Sequence, residues 1–259
     1  MTALVLIERD GEVARLVLNR RARHNSLVPE LLQALLDALD ACEADDTLQA
    51  LVLAHAGPSF STGGDVQAFF KQGAQIAPYA ANLVGLLNRT ILRLAGYAKP
   101  VVAAVDGTLT GGALGLVLAC DIVLVSARAS FTPYYVDVGF SPDGGWTALL
   151  PSFIGAARAR SVQLLNQRIS AEQALAWGMA AKLVASIDMA DQAGATARAI
   201  AAKVAGSVRT TRALLGPDME QLAHALERER QLFLLQVVTP EAERGMRRFL
   251  ARGGEAVPR

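Results

Sequence analysis

The sequence predicts an α/β fold: buried, mostly parallel strands alternating with helices, followed by a helical C-terminal region. Three observations predict it. Val101–Val105 is a short apolar run, rich in β-branched residues and without alternation. That is how a strand covered on both faces reads. Each of two such runs, residues 48–54 and Val101–Val105, leads into a glycine turn, Gly63-Gly64 or Gly111-Gly112. Finally, strand and helix patterns alternate to about residue 187, and every pattern from Met189 onward is helical.

In chain order, residues 4–8, the turn Asp10-Gly11 and Val13–Leu18 read as a β-hairpin. Residues 20–25 form a basic loop. Ser26 is a candidate cap for the helix that follows, and Pro29 suits its first turn. Leu31, Leu32, Leu35, Leu36 and Leu39 mark one face of that helix. After the strand at 48–54, Gly57-Pro58 breaks the chain. Residues 66–78 read as a polar, mobile segment. Leu83, Leu86, Leu87, Ile91 and Leu94 mark the next helical face. Beyond Gly111-Gly112 the Ala- and Leu-rich run 113–120 favours helix. Ile122–Val125 and Ser130–Thr132 read as strands, and residues 134–145 as a loop ending in Pro142-Asp143-Gly144-Gly145. Helices at 157–166 and 171–178, a strand at 182–184 and helices at 220–236 and 241–252 complete the pattern.

Composition removes several classes of function. The chain has 259 residues, 52% of them hydrophobic, and a net charge of +1 from 25 basic and 24 acidic residues. That balance gives no general electrostatic reason to bind nucleic acid or a membrane surface. Cys42 and Cys120 both lie in apolar helical patterns, which fits a reducing, cytoplasmic setting and not a disulfide framework. His24, His55 and His224 are far apart and show no metal-ligand spacing, so no metal site is expected. The acidic helix through Asp37, Asp40, Glu43, Asp45 and Asp46 reads as a solvated face.

The glycine turns carry the chemistry. The first amides of a helix have no intrahelical acceptor and sit at the positive end of its dipole. Glycines leave those amides uncovered. Two such turns at one sheet edge can hold an oxygen that becomes negative during reaction. Asp143, in a third loop, would add an acid. Pro-Asp-Gly-Gly is by itself an ordinary turn tetrapeptide, so the three loops matter together.

Those residues resemble the crotonase (enoyl-CoA hydratase/isomerase) superfamily. Phe60-Ser61-Thr62-Gly63-Gly64-Asp65-Val66 is similar to its first signature. Residues 99–107, with Gly111-Gly112 and Cys120-Asp121, are similar to its second. Residues 138–145, 174–178 and 245–252 match in order and spacing, so the resemblance covers essentially the whole chain. It implies a crotonase-type spiral of β-β-α turns over residues 1–204 and a C-terminal helical oligomerisation subdomain over 205–259. It also implies a homotrimer or a dimer of trimers.

The resemblance further implies an acyl-CoA thioester as substrate, in reactions of the fatty-acid kind, with no cofactor beyond the CoA it carries. The amides of Gly64 and Gly112 would hold the thioester oxygen. Arg23, His24, Ser26 and Leu27, with Thr62, Gly63, Asp65, Val66 and Gln67, would line the CoA path. Gly111, Tyr135, Phe249 and Arg252 complete the expected contacts, Arg252 at the CoA phosphates. Family hydratases use two glutamates, and this chain has Gly115 and Tyr135 at those positions. Asp143 matches the aspartate of the epoxyphenylacetyl-CoA isomerase and chlorobenzoyl-CoA dehalogenase branches. The pattern is closest to the isomerase branch. Isomerisation through an enolate, with Asp143 moving the proton, is therefore favoured. An atypical hydratase, an Asp143-nucleophile hydrolase or dehalogenase, and a non-catalytic acyl-CoA-binding protein are the alternatives. Trp146 and Trp177 are expected in the core. Leu222, Leu226, Phe233, Leu234 and Val237 are expected on apolar faces that need a neighbouring subunit.

Overall fold

A computed structural model describes residues 3–252. Its frame is two sheets. The larger contains β1 (Val5–Asp10), β2 (Val13–Leu18), β3 (Ala50–His55), β5 (Val101–Val105), β7 (Ile122–Val125) and β10 (Lys182–Leu183) in that spatial order. β1 and β2 pair antiparallel as the predicted hairpin, and the other neighbours are parallel. The smaller contains β4 (Ser59–Ser61), β6 (Thr108–Thr110), β8 (Ser130–Thr132) and β9 (Ile169–Ser170). β3, β5 and β7 each pass into a strand of the small sheet before the chain turns into helix. That is the β-β-α spiral.

Both faces of the large sheet are covered, which explains the missing alternation. Val101, Ala103 and Val105 enter the main core, while Val102 and Ala104 point the other way. There they meet Met189, Ala193 and Ala197 of helix α9 (Met189–Ala201). Side chains alternate between faces along a strand, so an apolar residue is needed at every position.

The remaining helices, in chain order, are α1 (Pro29–Glu43), α2 (Val66–Lys71), α3 (Ile76–Ala95), α4 (Leu114–Leu118), α5 (Tyr135–Val138), α6 (Leu150–Ile154), α7 (Ala156–Leu164) and α8 (Ala171–Ala176). After α9 come α10 (Ala205–Leu215), α11 (Met219–Val237) and α12 (Pro240–Ala251). Among the described residues no helix is long and apolar enough to cross a membrane.

Several expectations are corrected. The small-sheet strands β4, β6 and β9 are not visible as hydrophobic runs, because they are two or three residues long and polar at alternate positions. The glycine turns therefore follow β4 and β6, not the large-sheet strands directly. Residues 66–78 are not one mobile segment. Asp65 caps α2, its side chain accepting from Ala68 N at 3.1 Å, and α3 starts at Ile76. The expected loop at 134–145 contains α5, and α6 precedes α7. Ser26 is not the cap of α1. Val28 occupies that position with Pro29 in the first turn, and Ser26 instead meets Arg20 and Asp65. The run at 113–120 opens as a single tight turn and is regular helix only over α4. Trp146 is fully buried, whereas Trp177 is half-buried beneath the Arg158 guanidinium.

The apolar stripe of α11 has a partner inside the chain. Leu222, Leu226, Phe233 and Val237 are buried, and Leu234 packs against the same core. α11 lies along α3, where Asn88 Nδ2 donates to Leu226 O at 3.0 Å. The expectation that these residues need a neighbouring subunit is corrected, because the chain covers them itself. The apolar side chains that face outward from this region include Leu214, Leu215, Leu232, Leu235 and Val238.

Candidate active site

Parallel pairing of β4 with β6 brings the two glycine turns into contact. Gly63 has φ +69° and Gly111 φ +51°, the left-handed region that glycine enters at least cost. A Cβ on Gly63 would lie 2.6 Å from Thr110 O and 3.1 Å from Gly111 Cα. The approach is closer than any side chain permits. It leaves the amides of Gly64 and Gly112 unused by any hydrogen bond among the described residues.

The third loop closes on the second turn. A Cβ on Gly112 would lie 2.9 Å from Asp143 Oδ1. Trp146 Nε1 donates to Gly111 O at 2.7 Å, which fixes the loop to the turn. Tyr135, the first residue of α5, donates its hydroxyl to Asp143 Oδ1 at 2.5 Å.

These groups line a cavity of about 700 Å³, within the usual range for a small-molecule site. Of the residues expected there, Arg23, His24, Ser26, Leu27, Thr62, Gly64, Asp65, Val66, Gln67, Gly111, Gly112, Tyr135, Asp143 and Phe249 all line it. Two do not. Gly63 lies behind the wall, where its carbonyl accepts from Leu27 N at 2.7 Å. Arg252 is exposed just past the end of α12, outside the lining. Lys71, at the end of α2, lines the cavity and was not anticipated.

The two lining carboxylates behave oppositely. Asp65 is buried, yet it accepts from Ala68 N, Arg23 and Arg20, and these partners hold its pKa below the ordinary value despite desolvation. It stays ionised and orders the loop. Asp143 is buried, and no cation pairs with it among the described residues. Desolvation raises its pKa to about 7, the Tyr135 hydroxyl opposes the rise, and the nearby Glu229 charge adds to it. At neutrality it is therefore present in both protonation states, as a group that takes and returns a proton must be. The phenol of Tyr135 is pushed well above its ordinary value by burial and by Asp143. It is a hydrogen-bond donor, not a base. Tyr135→Phe should raise the Asp143 pKa further, because the removed hydroxyl favours the charged form. The acid limb of the kcat–pH profile should then move to higher pH. An unmoved limb would show that Tyr135 is only wall.

Part of the cavity wall is aromatic. Phe69 of α2, Phe140 and Phe233 of α11 pack with ring centroids 5.2 to 5.9 Å apart. Their positions in sequence are too far apart for spacing to reveal this cluster.

Fold and site define a spiral α/β scaffold with paired amide donors and one buried acid beside them. The Enoyl-CoA hydratase/isomerase family profile matches residues 8–255. Over 254 residues the chain is 33% identical to 1,2-epoxyphenylacetyl-CoA isomerase of Escherichia coli, covering 97% of each chain. It is 32% identical over 199 residues to 4-chlorobenzoyl coenzyme A dehalogenase-2 of Arthrobacter sp., covering 76% of this chain and 72% of that one. A crystal structure of an enoyl-CoA hydratase/isomerase from Xanthobacter autotrophicus Py2 superposes with a TM-score of 0.88 at 29% identity, covering all of both chains. The chain belongs to the enoyl-CoA hydratase/isomerase family. Its resemblance to the crotonase fold and to the epoxyphenylacetyl-CoA isomerase pattern is thereby established, and it is an acyl-CoA-processing enzyme of that family.

Proposed function

We infer that the enzyme isomerises an enoyl-CoA or related thioester through an enolate, with Asp143 carrying the proton between carbons. One observation carries this reading. Asp143 is the lining carboxylate that titrates near neutrality, and it lies against Gly112, one of the two amide donors. The thioester oxygen would accept from Gly64 N and Gly112 N, which would stabilise the enolate charge. One such donor is worth roughly 3 kcal/mol of barrier. Asp143 would take a proton from one carbon and return it to another, so a single acid suffices. A proton shift needs neither redox chemistry nor a metal, so no cofactor beyond the substrate's CoA is required. The phenylalanine wall suits an apolar acyl group.

One feature favours isomerisation over hydration: hydration by two glutamates has no acid at Gly115 and only a phenol at Tyr135. The experiment is turnover of a 3-enoyl-CoA to its conjugated isomer, with deuterium from solvent followed at the α carbon. Turnover with exchange supports the reading; binding without either supports the non-catalytic alternative. Crotonyl-CoA hydration should stay below roughly 10 s⁻¹. A faster rate means that water is activated by a group other than the two family glutamates.

A further inference from the structure

One buried acid takes no part in this reaction. Glu229 lies in the middle of α11, only 4% exposed, and does not line the cavity. Its Oε2 accepts from Gly145 N at 2.8 Å. Its Oε1 accepts from Thr147 N at 2.7 Å, Thr147 Oγ1 at 2.7 Å and Ala148 N at 2.9 Å. Every one of these donors belongs to the segment that begins two residues after Asp143. No arginine or lysine pairs with Glu229 among the described residues. Three backbone amides and one hydroxyl are thus held by one carboxylate that comes from a distant helix.

The same helix grips the loop at its other end. Gln236 Nε2 donates to Gly139 O at 3.0 Å, just past α5. α11 itself is fixed to α3 through Asn88. The Asp143 loop is consequently clamped between two points of α11 and tied to Gly111 by Trp146.

We propose that Glu229 is the positioning residue of this site, its carboxylate fixing residues 145–148 and thereby the place of the Asp143 carboxyl against the glycine turns. This rests on the reading of Asp143 as the proton carrier. A second effect comes with the first. The ionisable groups that act on Asp143 are Tyr135 and Glu229. Tyr135 stabilises the carboxylate form by donating to it. Glu229 acts through space, and its negative charge favours the protonated form. At Glu229 itself burial raises the pKa, and the Thr147 hydroxyl and the three amides offset that only in part. A neutral amide at 229 would keep the length, but its NH₂ would face a backbone N–H on one side of the clamp.

The test is Glu229→Gln in the full-length protein. Expected are CoA-ligand affinity and KM within about threefold of wild type, a kcat lower by about tenfold or more, and an acid limb displaced to lower pH. The Asp143 carboxyl is also titrated directly by ¹³C NMR of aspartate-labelled protein, with its resonance assigned from Asp143→Asn. That readout moves whichever reaction the enzyme performs, so it separates failure of this proposal from failure of the isomerase reading. A folded Glu229→Gln protein whose pH profile and Asp143 titration superpose on wild type overturns the proposal. If that variant does not fold, Thr147→Val removes a single donor from the clamp. The Thr147 hydroxyl is one of the four donors that fix residues 145–148, so kcat and the Asp143 titration should both depart from wild type, by less than in Glu229→Gln. No movement in either would also overturn the proposal.

Discussion

Asp143→Asn is expected to reduce isomerase turnover by at least ~10²-fold while leaving acyl-CoA affinity nearly unchanged. The asparagine oxygen can still accept from Tyr135, so the cavity keeps its shape. What disappears is a group able to hold a proton between two carbons. Exchange of the α proton with solvent should disappear with it. A variant that still isomerises a 3-enoyl-CoA at the wild-type rate would shift the assignment to Tyr135 or Asp65, two other polar groups of the wall.

The same substitution should change stability in a pH-dependent way. Asp143 has a folded pKa of about 7, above the value of an exposed aspartate. A raised acid favours the folded state only while it is protonated. Its contribution is complete below the unfolded pKa near 4 and is lost as pH rises through the folded value near 7. Asp143→Asn removes that loss. The variant should therefore be more stable than wild type at pH 8, by about 4 kcal/mol at most, and the gap should shrink towards pH 5 and close near pH 4. Thermal melts at the two pH values measure it. A gap that widens on acidification would mean that the Asp143 carboxyl is ionised and stabilised in the fold.

How much of this was legible depended on how local each signal is. The large-sheet strands could be read from Val101–Val105 and its neighbours because both faces of each strand are buried. Gly63-Gly64 and Gly111-Gly112 could be read because a close backbone approach admits only glycine. β4 and β6 could not, since three residues such as Ser59–Ser61 carry no period. Ser26 looked like a cap because serine has that local preference. The fold gives it to Arg20 and Asp65, partners that local sequence does not display. Glu229 is a different case. Its neighbours Glu227, Arg228 and Arg230 make the helix read as mixed and solvated. Yet 229 falls on the stripe 222, 226, 229, 233, 237, every other member of which is apolar and buried. An acid on such a stripe is a signal for a buried partner, and that spacing could have exposed it. The Phe69, Phe140 and Phe233 wall had no comparable signal, because three separate segments supply it.

Gly115→Glu, which places an acid where the family's hydratases carry one, is expected to unfold the site and not to create hydratase activity. A Cβ on Gly115 would lie 2.5 Å from Gly144 O and would overlap Ile91 Cδ1. Ile91 is a side chain of α3 and can shift. Gly144 cannot yield as easily: its own φ is +61°, even a Cβ on it would lie 2.3 Å from Gly112 Cα, and the next amide is held by Glu229. Even Gly115→Ala should therefore cost about 1–3 kcal/mol of stability, the usual range for overpacking. A glutamate adds an unpaired charge in the same buried place, and the total loss should exceed about 3 kcal/mol. Urea denaturation of the two variants against wild type measures both steps. Displacement of Gly144 would also drag Asp143, so isomerase turnover should fall in Gly115→Ala even where the protein remains folded. A stable Gly115→Glu protein that hydrates crotonyl-CoA faster than wild type would contradict this account. It would mean that the Asp143 loop moves aside freely, and that the missing glutamate is an accident of sequence. The packing argues the reverse: the loop that brings Asp143 to Gly112 fills the space that a side chain at 115 would need, so one chain cannot hold both acids in this arrangement.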